Sequence, residues 1–289
     1  MGKITQAWSN RLSSWQATVA NDENEYDFIK RQVNMEEFCE EYGYDHTYYF
    51  SYSSFGDIIS AAEKLDEYVQ MVKAQTGHDK VSICFISLGG TIGVNYLENY
   101  PEDYELIRKM VFVIPAIDGS DIIGDLFTGN LSVFYDDNTL YEDLLVTLLG
   151  DTYLAYLLNI VLRILPSDVL KSALGGLANG LVDIAALRST MLWALCPTAY
   201  YEEAKAIWLD GNDDLKGIAE DVAYFMNARA NFEENLFALR ETGCEIFNVA
   251  CYDVPLFPLC KNYRTKNADR VIHAASPAMG ATFADLGET

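Results

Sequence analysis

The sequence predicts an α/β fold: a mostly parallel sheet with helices on both faces and an inserted, mainly helical cap. Three observations predict it. The apolar run Val81-Ser82-Ile83-Cys84-Phe85-Ile86 ends in Ser87, and Gly89-Gly90 then opens a helical pattern. A second apolar run, Leu106 to Pro115, follows that helix, and an amphipathic helix precedes the first run. From about Asp118 to Gly243 the pattern is helical with no convincing strand, after which Glu245 to Tyr252 returns to strand. The domain reading is a core of residues 1–118 and 244–289 with a cap of residues 119–243.

Each element has a local reason. Residues 1–35 read as polar and irregular, with Trp8 and Trp15 as isolated anchors and an acidic loop at 21–25. A short helix over Met35 to Tyr42 is closed by Gly43. His46 to Tyr52 is aromatic and β-branched and reads as a strand. Asp57 caps the next helix and Gly77 ends it. Within it Ile58, Ala62, Leu65, Val69 and Val72 recur at 4-3-4-3 spacing, which makes one apolar stripe. The helix from Leu88 to about Asn99 is stopped by Pro101. A short apolar run such as 81–86 suits a strand buried on both faces of a parallel sheet.

Composition excludes several classes. At 289 residues the chain can bury a full core, and half of its residues are hydrophobic, which excludes a disordered chain. A formal net charge of −23 repels phosphates, so no nucleic-acid partner is expected, and an anionic membrane is disfavoured too. The six cysteines lack CxxC spacing and read as reduced core thiols, with no metal site and no cofactor. No apolar core follows Lys3, so no signal peptide is expected and the location reads as cytoplasmic. Leu144 to Leu165 is apolar, but Gly150, Asp151 and Arg163 interrupt it; it reads as an internal cap helix or an apolar lid, not a transmembrane helix. Through such a lid the chain could make transient contact with a lipid interface.

The chemistry centres on Ser87. A serine at a tight strand-to-helix turn can hold its hydroxyl out above the sheet edge, with the Leu88 amide aimed at an oxyanion formed there. The competing reading is a serine that caps the following helix. Gly89-Gly90-Thr91-Ile92-Gly93 lacks the Gly-x-Gly-x-x-Gly spacing of a dinucleotide loop.

These residues resemble the α/β-hydrolases, and more narrowly the lipases and acyltransferases related to lecithin:cholesterol acyltransferase. Lys80 to Gly90 resembles the strand and nucleophile elbow, Thr91 to Pro101 the helix after it, and Val113 to Ser120 the next strand with its glycine-serine exit. Asn267-Ala268-Asp269-Arg270-Val271-Ile272 resembles the Asp-Gly-x-Val turn that carries the triad acid. The resemblance implies a serine hydrolase acting on carboxylic esters or lipid acyl chains through an acyl-enzyme on Ser87. Asp269 would be the acid, with Asp253 as runner-up, His273 the base, and Leu88 an oxyanion donor. Phe85 and Ile86 replace the usual glycine and histidine of the elbow. Only His46, His78 and His273 exist, and no second oxyanion loop is visible, so the chain reads as incomplete at both ends. The alternative is a homologue that kept the fold, lost catalysis and serves binding or scaffolding.

Overall fold

The computed structural model describes residues 39–41, 43, 46–136, 139–150, 152–164, 166–183 and 187–288. The expectations placed on residues 1–35 lie outside the described residues. Two compact units are present, 1–53 with 64–79, and 54–63 with 80–289.

Helix α1, Ile58–Thr76, begins where Asp57 accepts the Ser60 amide at 2.7 Å and ends where Gly77 adopts φ +68. Both features follow from residue chemistry, a carboxylate at the N-cap and a residue without Cβ in the left-handed region. The predicted stripe is buried at Ile58, Ala62, Leu65 and Val69. In the first unit, Gly43 has φ +93 and its amide bonds to Cys39, as a helix end there requires. His46 to Tyr52 forms no strand among the described residues. The Tyr68 hydroxyl donates to the Tyr49 carbonyl, and the Phe50 ring packs on Tyr68. Strand-type residues are rewarded for packing, and here the packing comes from α1 rather than a neighbouring strand.

The second unit holds a three-stranded parallel sheet in the order β1 (Val81–Ile86), β2 (Ile107–Val113), β3 (Glu245–Val249). Cys84 lies opposite Val111, which lies opposite Phe247. Helix α2, Gly89–Asn99, follows β1, and Pro101 opens a short 3-10 turn that leads into β2. Between β2 and β3 every regular element among the described residues is helical. The α-helices among them are α3 (Asp121–Thr128), α4 (Leu145–Leu149), α5 (Tyr153–Leu162), α6 (Ser167–Leu181), α7 (Thr190–Trp193), α8 (Thr198–Trp208), α9 (Lys216–Ala230) and α10 (Phe232–Glu241). A two-residue antiparallel ladder, β4 (Val254–Pro255) with β5 (Asn267–Ala268), follows β3.

One face of the sheet is covered. Phe85 and Phe112 stack at 5.4 Å, Gly93 of α2 passes over both, and Phe232 of α10 meets Phe112 edge-on. The cover expected on the opposite face is not seen among the described residues. Cys84 and Ile86 of β1 and Phe247 and Val249 of β3 are exposed there. The core-thiol expectation therefore fails at Cys84 and at exposed Cys251, and holds at the buried Cys39, Cys196, Cys244 and Cys260. An apolar run reports that a strand exists; which face a helix covers is decided by partners far away in sequence.

Candidate functional site

All three parallel strands run out into left-handed backbone at the same sheet edge. Ser87 follows β1 with φ +51, Ile114 follows β2 with φ +42, and Asp253 lies four residues past β3 with φ +70. Such backbone costs roughly 1–3 kcal/mol at a residue bearing a side chain, and most for a β-branched one such as Ile114. The surroundings impose it. The Ser87 amide donates to the Val113 carbonyl at 3.0 Å, and the Ser87 carbonyl accepts from Gly90 at 2.9 Å and Ala116 at 3.0 Å. The bend is thus tied to its own helix and to the exit of the neighbouring strand. Ligands of parallel α/β sheets gather at this carboxyl edge.

The Ser87 side chain is half-buried, and its hydroxyl has no hydrogen-bond partner among the described residues. It does not cap α2: Leu88 holds the N-cap position, with φ −52, and no side chain bonds there. The Leu88 amide finds no acceptor among the described residues, which leaves it available beside Ser87 Oγ. Gly90 has a strict steric reason, since a Cβ there would lie 2.8 Å from the Pro115 Cβ.

Both candidate acids flank the same end of the β4–β5 ladder: Val254 pairs with Ala268, and Asp253 and Asp269 are their neighbours in sequence. Asp269 is rigid: its Oδ1 accepts the Val271 amide at 2.8 Å and the Ile272 amide at 2.7 Å. Its Oδ2 has no partner among the described residues. Arg270 adopts φ +87, the conformation that suits the glycine of an Asp-Gly-x-Val turn. Asp253 is exposed, and its amide donates to Asn267 Oδ1 at 2.6 Å.

The loop after β2 links the elbow to this region. Ser120 caps α3 and donates its hydroxyl to the Val271 carbonyl, and the Asp118 amide donates to Ser276 Oγ at 2.9 Å. His273 is buried, but it sits in a turn region rather than on a helix, and both ring nitrogens face carboxylates. Nε2 is 2.9 Å from Asp285 Oδ1, and Nδ1 is 3.8 Å from Asp121 Oδ2. Asp285 is also partly buried, which raises its pKa, but the His273 bond and the Asn267 amide outweigh this and hold it below the usual carboxylate range. His273 is therefore a clasp between two acids in this arrangement. No hydrogen bond joins Ser87, Asp269 and His273 to one another among the described residues. His46 and His78 belong to the first unit, with rings 6.1 Å apart.

A second buried polar group lies beneath α3. Asp125 is fully buried; Oδ2 accepts the Lys261 amide at 2.6 Å, and Oδ1 has no hydrogen-bond partner among the described residues. Burial raises its pKa to about 6; the nearby Asp121 charge adds to this and the Lys261 amide bond opposes it. No group of three or more His, Cys, Asp or Glu side chains suited to a metal exists among the described residues. Compared with protein-family models, with curated proteins and with solved structures, the chain has no match.

Proposed function

We propose that the chain is a serine-nucleophile hydrolase with an α/β-hydrolase-like core, acting on carboxylic esters or lipid acyl chains. One observation carries this reading: Ser87 is held at φ +51 on the strand-to-helix bend, and its hydroxyl has no hydrogen-bond partner among the described residues. Strain of this kind needs a use, and presenting an oxygen above a sheet edge is one. The ester carbonyl would be attacked by Ser87 Oγ, giving a tetrahedral oxyanion that the Leu88 amide stabilises. Such a donor contributes roughly 3 kcal/mol to the transition state. Collapse breaks the ester C–O bond, the departing alkoxide takes up the proton given up by Ser87 Oγ and leaves as alcohol, and water then hydrolyses the acyl-Ser87 ester to a carboxylic acid and free Ser87. Asp269, with one oxygen fixed by two amides and the other open, has the form of a group that orients an imidazole. Residues 119–243 act in this reading as the helical cap over the substrate.

A second reading is a fold that lost its chemistry and kept a binding role. The clasp at His273, which leaves neither ring nitrogen directed at Ser87, favours it. Hydrolysis of p-nitrophenyl esters with added free imidazole separates the two. A nucleophilic Ser87 without its base gives turnover in excess of the protein-free imidazole rate, and that excess rises with imidazole and vanishes in Ser87→Ala. No excess over the protein-free rate, or an excess unchanged in Ser87→Ala, supports the binding role.

A further inference from the structure

Helices α5 and α6 each leave an apolar face in solvent, while Leu162, Leu170, Leu174 and Ala178 pack against the buried cluster of Leu131, Val133, Tyr141 and Leu144. Ala155 is the one buried residue of α5, and none of α6 is buried among the described residues. Tyr153 and Ile164 are each 76% exposed, and Tyr156, Val161, Leu177 and Leu181 are also exposed. An exposed apolar face of this extent marks an interaction site. No single helix is long and apolar enough to cross a membrane, but Tyr153–Leu162 and Ser167–Leu181 together, bent by 110°, have the length and composition. At 1.5 Å per residue α5 is about 15 Å long and α6 about 22 Å, against ~30 Å of hydrocarbon. Helices of that size lie in an interface rather than span it.

Charge selects the occupant. Between Leu144 and Val182 the chain carries Asp151 and Asp168 against Arg163 and Lys171, an even balance, whereas the whole chain carries −23. An anionic membrane would repel the body of the protein, and a second copy would bring another −23. A surface without net charge incurs neither penalty. The arm is anchored at its root, where Asn159 donates to the Tyr141 carbonyl and Arg163 stacks over the Tyr141 ring. We infer that α5 and α6 form a docking surface for neutral, zwitterionic lipid and lie within its interfacial layer. This does not depend on the chemistry of Ser87.

Flotation of the full chain with phosphatidylcholine vesicles tests it. The wild type and Ser87→Ala should float equally. A Val161→Asp/Ile164→Asp variant should lose at least tenfold in the floated fraction, with its circular-dichroism melt unchanged because both side chains face solvent. Tyr156→Glu should show the same loss as an independent variant. The inference is overturned if the wild type stays unbound, if it floats only with phosphatidylserine vesicles, or if both variants float like the wild type. Self-association of the wild type without flotation would also overturn it, in favour of a second copy as the occupant.

Discussion

Gly90 stands against Pro115 so closely that a Cβ on the glycine would sit 2.8 Å from the Pro115 Cβ and 3.1 Å from the Ala116 amide. The first turn of α2 therefore passes over the exit of β2 with room for a hydrogen and nothing larger. Gly90→Ala forces that turn away and carries the Ser87 bend with it. Overpacking of this kind costs about 1–3 kcal/mol, of which helix propensity returns up to ~1. Gly176, in α6, is the opposite case: a Cβ there would meet no atom within 4 Å, so Gly176→Ala should gain roughly 0.5–1 kcal/mol. Chemical denaturation of both variants checks the opposite signs.

At Ser87 two substitutions part company. Ser87→Gly relieves the backbone at φ +51 and should stabilise the fold by about 1 kcal/mol. Ser87→Ala keeps the strain and should leave the midpoint within about 0.5 kcal/mol of wild type. Both remove the hydroxyl and should remove any esterase turnover. A gain for alanine equal to that for glycine would show that the bend holds no strain.

Arg270 is the parallel case at the acid turn. With φ +87 and an exposed side chain, it occupies a position that glycine accepts without cost. Arg270→Gly should raise the thermal midpoint, by an amount equivalent to about 1 kcal/mol, while the two amide bonds to Asp269 persist. An unfolding series that compares Gly with Ala at this site reads the backbone effect directly, since alanine should give no such gain.

Asp125 makes stability depend on pH. Its pKa is about 6 in the folded chain against an ordinary 3.8, because burial penalises the charged form. A carboxyl raised by folding contributes fully below the unfolded value and loses that contribution as pH rises through the folded one. Stability should therefore fall between about pH 4 and pH 6.5, by on the order of 2 kcal/mol from this group. Asp125→Asn, which retains an acceptor for the Lys261 amide, should flatten that window. Thermal melts at half-unit pH steps give the slope for each protein.

Much of the frame was legible in the sequence because its causes are local. The Asp57 cap, the Gly77 end, the apolar stripe of α1 and the β1–α2 bend are each decided within a few residues. Other features depend on pairing across long stretches of chain. The placement of Asp253 and Asp269 at the same end of one ladder follows from its register, and the engagement of His273 follows from Asp121, more than a hundred residues earlier, and Asp285. The open sheet face at Cys84 and Phe247 is likewise invisible in an apolar run, since the run does not say which side finds a helix. At Arg270 the backbone takes φ +87, a conformation that glycine adopts most readily and that an arginine in the sequence does not announce.

The reactivity of one oxygen tests the account most directly. The folded chain is incubated with a fluorophosphonate, whose phosphorus bonds to a nucleophilic serine oxygen as fluoride leaves, and the adduct is located by peptide mass spectrometry. The account predicts a single adduct on Ser87, absent from Ser87→Ala and from the heat-unfolded chain. A folded protein that stays unlabelled at Ser87, or labels equally at other serines, would contradict it.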